Sequence, residues 1–148
     1  WATDELTRAS FRRRLRRYQW EMQEDLGYAF FIFRREDRAL VGGVTLSNVR
    51  RGVSQAASIG YWMGAPFAGQ GYMSDAVLTT TAYAFDVLGL HRLEAACIPS
   101  NAASIRVLER TGFQREGLAR RYLKINGIWQ DHLLYALLAT DRNGGGNE

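Results

Sequence analysis

The chain has 148 residues, 47% of them hydrophobic, and a formal charge of +4. That length is one domain with room for a sizeable core, and the composition excludes a disordered chain. A lone Cys97 excludes an internal disulfide, two scattered histidines give no metal-ligand spacing, and no apolar run is long enough to span a membrane, so a cytoplasmic protein without a metal is expected. The opening on Trp1 rather than Met predicts that residues precede it in the full protein.

Residues 4–24 lack Gly and Pro, and Leu6, Phe11, Leu15, Tyr18 and Met22 recur at helical spacing, which predicts an amphipathic helix. Arg8, Arg12, Arg13, Arg14, Arg16 and Arg17 cluster on it, either as a solvated face or as a seeker of phosphate and acidic partners. Gly27 ends the helix. A hairpin follows, Tyr28–Arg34 and Leu40–Ser47, joined through Glu36-Asp37-Arg38, and then a third strand, Ala57–Met63. A second helix is expected over Met73–Leu88, closed by Gly89, and a fourth strand over His91–Ile98. Asn101 caps a third helix, Ala102–Thr111, with Ile105 and Leu108 on its buried face. Phe113–Ile125 and Ile128–Leu138 flank Asn126-Gly127, the signature of a tight hairpin, and the tail 143–148 is Gly-rich and expected to be loose.

The element order is helix, hairpin, strand, helix, strand, helix, hairpin, a mixed α/β domain over residues 1–148. Its organising stretch is Ile59–Ser74, IGYWMGAPFAGQGYMS, in which Gly69-Gln70-Gly71 opens a helix. A Gly-rich turn at a helix start leaves unpaired backbone N–H groups open to close approach, and the helix dipole favours an anion there. Neither GxxxxGK[ST] nor GxGxxG is present, so the common nucleotide sites are disfavoured.

Three stretches in register are more specific. Ala68–Met73, then Pro99-Ser100-Asn101-x-x-Ser104 with Leu108–Phe113, then Asn126-Gly127-Ile128-Trp129-Gln130-Asp131-His132 together resemble the GNAT acetyltransferase superfamily, in its branch of RimJ/RimL-type ribosomal-protein-alanine N-acetyltransferases. The resemblance runs from about Tyr28 onward. It implies a GNAT fold, with a central mixed, largely antiparallel sheet whose two central strands splay, and acetyl-CoA held as cosubstrate in the cleft between them. By position, the diphosphate would lie on Gly69, Gln70, Gly71, Tyr72 and Met73. Backbone around Trp62, Met63 and Gly64 would pair with the pantetheine arm, and Asn101 and Ser104 would touch the cofactor near its thiol. This chain departs from the pattern: Ala68 replaces the first polar residue of the loop, the usual general-base position holds Ala96, and the usual general-acid Tyr falls at Leu108. The strand and helix that usually precede such a domain are expected to be missing, leaving it N-terminally incomplete.

Transfer to an amine then needs other groups. Glu94 shares strand periodicity with Ala96 and is the first candidate for the base, against a carboxylate paired with Arg92. Ser104 can protonate the departing thiolate, against a hydroxyl that caps its own helix. The Met63 N–H is assigned to the oxyanion. Tyr122, Trp129 and Asp131 are candidates for the acceptor pocket, while His132 reads as structural and Cys97 as an inert strand thiol rather than an acyl relay. The expected acceptor is a protein or peptide N-terminal α-amino group, with ribosome association through the Arg-rich helix and a monomeric or homodimeric state. The alternatives are a small-molecule amine acetylase (amino acid, polyamine or antibiotic) and a non-catalytic acyl-CoA-binding or RNA-associated module.

Overall fold

The computed structural model describes residues 8–143. Its elements are α1 (Arg8–Gln23), β1 (Tyr28–Phe33), β2 (Leu40–Arg50), β3 (Ala56–Met63), α2 (Tyr72–Ala82), β4 (Arg92–Cys97), α3 (Ala102–Arg110), β5 (Gln114–Ile125) and β6 (Ile128–Leu138). The strands form one six-stranded sheet in the order β1-β2-β3-β4-β6-β5. Every pairing is antiparallel except that of β3 with β4. This is the mixed, largely antiparallel sheet expected from the sequence.

Alternation decides what each face of the sheet carries. Ala57 and Ile59 of β3, Leu93, Ala95 and Cys97 of β4, and Leu133, Tyr135 and Leu137 of β6 point to one face and are buried. There they meet Met73 and Val77 of α2 and Leu108 of α3, with Val77, Leu93 and Leu108 at 0% exposure. The two helices therefore cover one face of the central strands. The even-numbered set, Trp62 of β3, Glu94 and Ala96 of β4 and His132 of β6, lies on the other face.

Element boundaries shift for identifiable reasons. β2 runs past Ser47 to Arg50, because Arg50 pairs with Ala56 beyond an irregularity in which Asn48 has φ +51°. Helix α2 ends at Ala82, and a π-turn over Tyr83–Val87, closed by the Leu88 N–H on the Tyr83 carbonyl at 3.0 Å, carries the chain on to Leu90. The Asn126-Gly127 turn has positive φ at both residues, +51° and +80°, as a type I′ hairpin requires. The apolar stripe of α1 stays out of the core: none of its residues is buried, Phe11 and Met22 are exposed, and Tyr18 meets the Phe31 ring of β1 at 6.5 Å between centroids. Leu6, the tail beyond Asn143 and the first turn expected from residue 4 lie outside the described residues.

Two features brace the β1–β3 side. Gly42 and Gly43 let β3 come close, since a Cβ on Gly42 would fall 2.3 Å from the Trp62 carbonyl oxygen and one on Gly43 2.6 Å from the Trp62 indole nitrogen. At the far end of β2, Arg51 grips Asp25 through two hydrogen bonds, of 2.6 and 3.0 Å, and Tyr28 donates to the same carboxyl at 2.6 Å. Arg51 first, and Tyr28 with it, hold the Asp25 carboxyl below its ordinary value.

Gly42→Ala is expected to cost about 1–3 kcal/mol of stability through backbone overpacking, read as a lower urea midpoint with unchanged slope. Because the Asp25 carboxyl titrates lower in the fold than in the open chain, its pairing stabilises above the ordinary carboxylate range and fades as pH falls through the depressed value. Asp25→Asn should therefore lower stability at neutral pH and flatten its decline in acid, measured by urea denaturation across pH.

Candidate active site

The parallel pairing of β3 with β4 lasts only three residue pairs, Ala56 with Arg92, Ala57 with Leu93 and Ser58 with Glu94. Beyond Ser58 the strands part. Their outer edges remain engaged, β3 with β2 as far as Met63 and β4 with β6 as far as Cys97. The Gly64 N–H donates to the Val41 carbonyl at 2.8 Å, which fixes the phase of the β2–β3 ladder. By alternation, Trp62 and Gly64 turn their main-chain groups to β2, while those of Tyr61 and Met63 turn to the gap. On the other side the Ala139 N–H donates to the His91 carbonyl at 2.8 Å, so Ala96 turns its main-chain groups to the gap as well, while the Ile98 carbonyl accepts the Asn101 N–H at 2.9 Å. The result is a slot lined on both edges by ladder groups without a strand between them.

The slot opens into a cavity of about 820 Å³ bounded by β3, β4, the 67–74 turn and α3. At its far end Gly69 and Gly71 have φ of +76° and +82°, and Gly71 caps α2 with no side chain on the helix end. A Cβ on either glycine would meet no protein atom within 4 Å. The first helical bond runs from the Asp75 N–H to the Gly71 carbonyl, leaving the N–H groups of Tyr72, Met73 and Ser74 without helical acceptors. Open space over two glycines, next to free N–H groups at a helix's positive end, fits a diphosphate. The Gln70 side chain folds back onto the Pro66 carbonyl at 3.3 Å, so its contribution to such a cradle is its backbone. Arg34 stacks on Phe67 of this turn, 5.1 Å from the ring centre, and is anchored by Asp37. Arg106 and Arg110 of α3 add two cations to the wall.

At the slot's other end Asn101 caps α3, its side-chain oxygen accepting the Ser104 N–H at 3.1 Å. The Ser104 hydroxyl is therefore free of the capping role, and it meets the Tyr61 hydroxyl at 2.7 Å, with the Ser104 carbonyl 3.3 Å from the same phenol. Burial pushes the Tyr61 phenol up from its ordinary value, against a smaller opposing effect of Ser104, so it stays a neutral proton carrier. The neighbouring Cys97 thiol is also pushed up by burial, which leaves it a poor nucleophile.

Of the residues expected at the cofactor, Trp62, Met63, Gly69, Gln70, Gly71, Tyr72, Met73, Asn101 and Ser104 line the cavity, and Gly64 does not, its N–H being spent on Val41. Glu94 is not on the cavity wall: it lies where β3 and β4 are still paired, and accepts from Arg50 and Arg92, both at 3.2 Å. A doubly bridged carboxylate off the cavity wall favours the arginine-paired reading of Glu94 over its assignment as the base. Trp129 and Asp131 border a separate shallow concavity with Arg121. Asp131 accepts the Arg121 N–H at 2.8 Å on one carboxylate oxygen, a contact that orders the hairpin. Tyr122 packs on the His132 ring at 5.7 Å between centroids, and His132, only 4% exposed, lines the main cavity.

Sequence reasoning gave no role to Tyr61, Arg106 or Arg110. Alternation with Ile59 and Met63 was the available signal for Tyr61. For the arginines it was helical spacing from Ala103, which turns 103, 106–107 and 110 away from the buried Leu108.

A splayed pair of central strands leading to a glycine-capped helix frames the cleft, and sequence comparison identifies the family that it belongs to. The family model of the acetyltransferase (GNAT) domain matches residues 1–114, and the chain belongs to that family of N-acetyltransferases. It is 44% identical over 140 residues to the probable N-acetyltransferase YjcK of Bacillus subtilis, covering 95% of this chain and 77% of that protein. It is 37% identical over 117 residues to the ribosomal protein uS5-alanine N-acetyltransferase of Escherichia coli, covering 78% of this chain but only 60% of the relative. Among solved structures, Mycobacterium smegmatis RimJ in complex with CoA-disulfide superimposes with a TM-score of 0.85 at 34% identity, over 90% of this chain and 63% of that one.

Gly71→Ala places a Cβ at positive φ, which costs about 1 kcal/mol, and fills the open cradle. CoA affinity measured by calorimetry should fall tenfold or more, while the thermal midpoint drops by only a few degrees.

Proposed function

We propose that this chain transfers the acetyl group of acetyl-CoA to an amine by direct attack in a ternary complex, and that the amine is a protein or peptide N-terminal α-amino group. The observation that carries the reading is the slot between β3 and β4, lined by unpaired ladder groups and ending on the Gly69–Gly71 cradle. An amide-bearing arm can pair there as a missing strand would. Acetyl-CoA supplies a thioester whose carbonyl carbon accepts the amine and whose sulfur leaves.

The chain's own groups then divide the work. The Met63 N–H, turned into the slot, is placed to bind the carbonyl oxygen as charge builds on it. Ser104 donates its proton to the departing sulfur and is resupplied across the 2.7 Å contact by Tyr61. Arg106, Arg110 and the N–H groups of Tyr72 to Ser74 hold phosphate.

The α-amino acceptor is supported by the similarity to the uS5-alanine enzyme and by chemistry. An α-amine has a pKa near 8 and is about one-tenth neutral at pH 7, whereas a lysine amine near 10.4 is almost wholly charged. Among the described residues the cavity lining includes no Asp or Glu, so a polyamine would find no acidic partner there, which sets the small-polycation alternative second. Exposed Arg8, Arg12, Arg13 and Arg16 on α1 suit an approach to a phosphate-rich surface such as the ribosome, a contact that would weaken steeply with salt.

With acetyl-CoA and a panel of N-terminal peptides, free amino acids, polyamines and aminoglycosides, mass spectrometry is expected to find acetyl on peptide α-amines. Ser104→Ala should lower kcat by roughly 10²-fold with KM for acetyl-CoA changed less than threefold. Acetyl on small amines alone would replace the acceptor, and CoA binding without any product would replace catalysis with simple binding.

A further inference from the structure

With Glu94 held by two arginines, the slot lacks an evident proton acceptor, and the face opposite the helices supplies one. His132 of β6 stands across from Ile98, in the continuing β4–β6 register, and is the diagonal neighbour of Ala96 on the same face. Ala96 is small and exposed, and so leaves room beside the slot for the imidazole of the next strand. The His132 Nδ1 lies 3.0 Å from the Gln130 carbonyl. A carbonyl oxygen only accepts, so Nδ1 carries the proton and the lone pair is on Nε2, which has no protein hydrogen-bond partner among the described residues.

The ring is also held in place. Between the pairs Ala119–His132 and Leu123–Gln130, three residues of β5 face one of β6, a bulge with Arg121 at φ +47°. The Asp131 carboxylate pins that bulge through the Arg121 N–H and so tips Tyr122 onto the imidazole. A histidine with a fixed tautomer, a packed ring and a free lone pair toward a cavity is more than a core filler. The titratable groups sharing its surroundings are Tyr61, Tyr72, Cys97, Arg106 and Arg110 around the cavity, Tyr122 on its ring, and, further along the same face of β4, Glu94 with Arg50 and Arg92, while Asp131 is directed to the other face of β6. Among the described residues the cavity lining holds no carboxylate, and Glu94 on the same face is already engaged by Arg50 and Arg92.

We infer that His132 is the general base: its Nε2, directly or through one water, takes a proton from the acceptor's ammonium as the amine enters the slot from the face opposite α2 and α3. This rests on the acetyl-transfer reading above. The amine nitrogen forms the C–N bond and the C–S bond breaks. One amine proton goes to Nε2 and from there to solvent. The second leaves the nitrogen to solvent as Ser104 protonates the thiolate; Tyr61 resupplies Ser104 and regains its own proton from solvent. Amide, thiol and one released proton balance the ammonium and thioester consumed.

The test is a pair of variants read by kcat/KM against pH on a peptide acceptor. His132→Asn keeps an N–H for the Gln130 carbonyl and deletes the Nε2 lone pair, whereas His132→Gln keeps a polar group near the Nε2 position without basicity. Both are expected to lose roughly 10²-fold in kcat with CoA affinity within threefold, and to lose the wild-type inflection on the acid limb, leaving a rate that simply follows the amine's own ionisation. Added imidazole should restore part of the rate to His132→Ala. An Asn variant as active as wild type, or one slowed with its pH profile intact, overturns the inference while acetyl transfer stands. A wild type that acetylates no amine overturns both, and if the Asn variant fails to fold, an unchanged profile in the Gln variant decides against the histidine.

Discussion

Everything at the candidate site follows from how soon β3 and β4 stop pairing. Three residue pairs hold them, and each strand then continues along its outer partner alone. Buried or half-buried ladder groups without partners are costly, so an empty slot of this kind is stable only where solvent or a ligand can enter it. The outer ladders keep it from collapsing. Gly42 and Gly43 draw β3 tightly onto β2, and β6 holds β4 through Cys97.

A parted pair of strands also joins the two faces of the sheet. The helix face carries the anion cradle, the Ser104–Tyr61 hydroxyl pair and the buried Cys97. The opposite face carries Ala96, Trp62 and His132. Ser104, Tyr61 and His132 nonetheless line one cavity, because the parted strands leave it open to both faces. Side-chain alternation on adjacent strands assigns each group its side.

Much of the fold was readable because its punctuation is local. Gly27, Gly89, Asn101 and Asn126-Gly127 each mark an element boundary by conformational need, and every strand and helix expected from them exists within a few residues. The cradle was readable for the same reason, two glycines before an apolar helix. The failures came where long-range pairing decides. Glu94 obeys the right periodicity, but only the β3–β4 register shows that it falls before the gap opens, and only tertiary structure brings Arg50 to it across 44 positions of sequence. Asp131 and His132 are neighbours whose roles depend on a bulge in the other hairpin strand, which no pattern in β6 announces. The stripe on α1 has the period of a core helix, yet its side chains stay outside the core.

Tyr61 couples two parts of the cleft. Its main chain forms one edge of the slot, while its side chain ends on the Ser104 hydroxyl at the head of α3. Any ligand that pairs with that edge pulls on the same residue that holds the Ser104 hydroxyl. Docking of an extended arm and alignment of the hydroxyl are thus a single mechanical event, and a ligand that occupies only the phosphate cradle leaves that linkage slack.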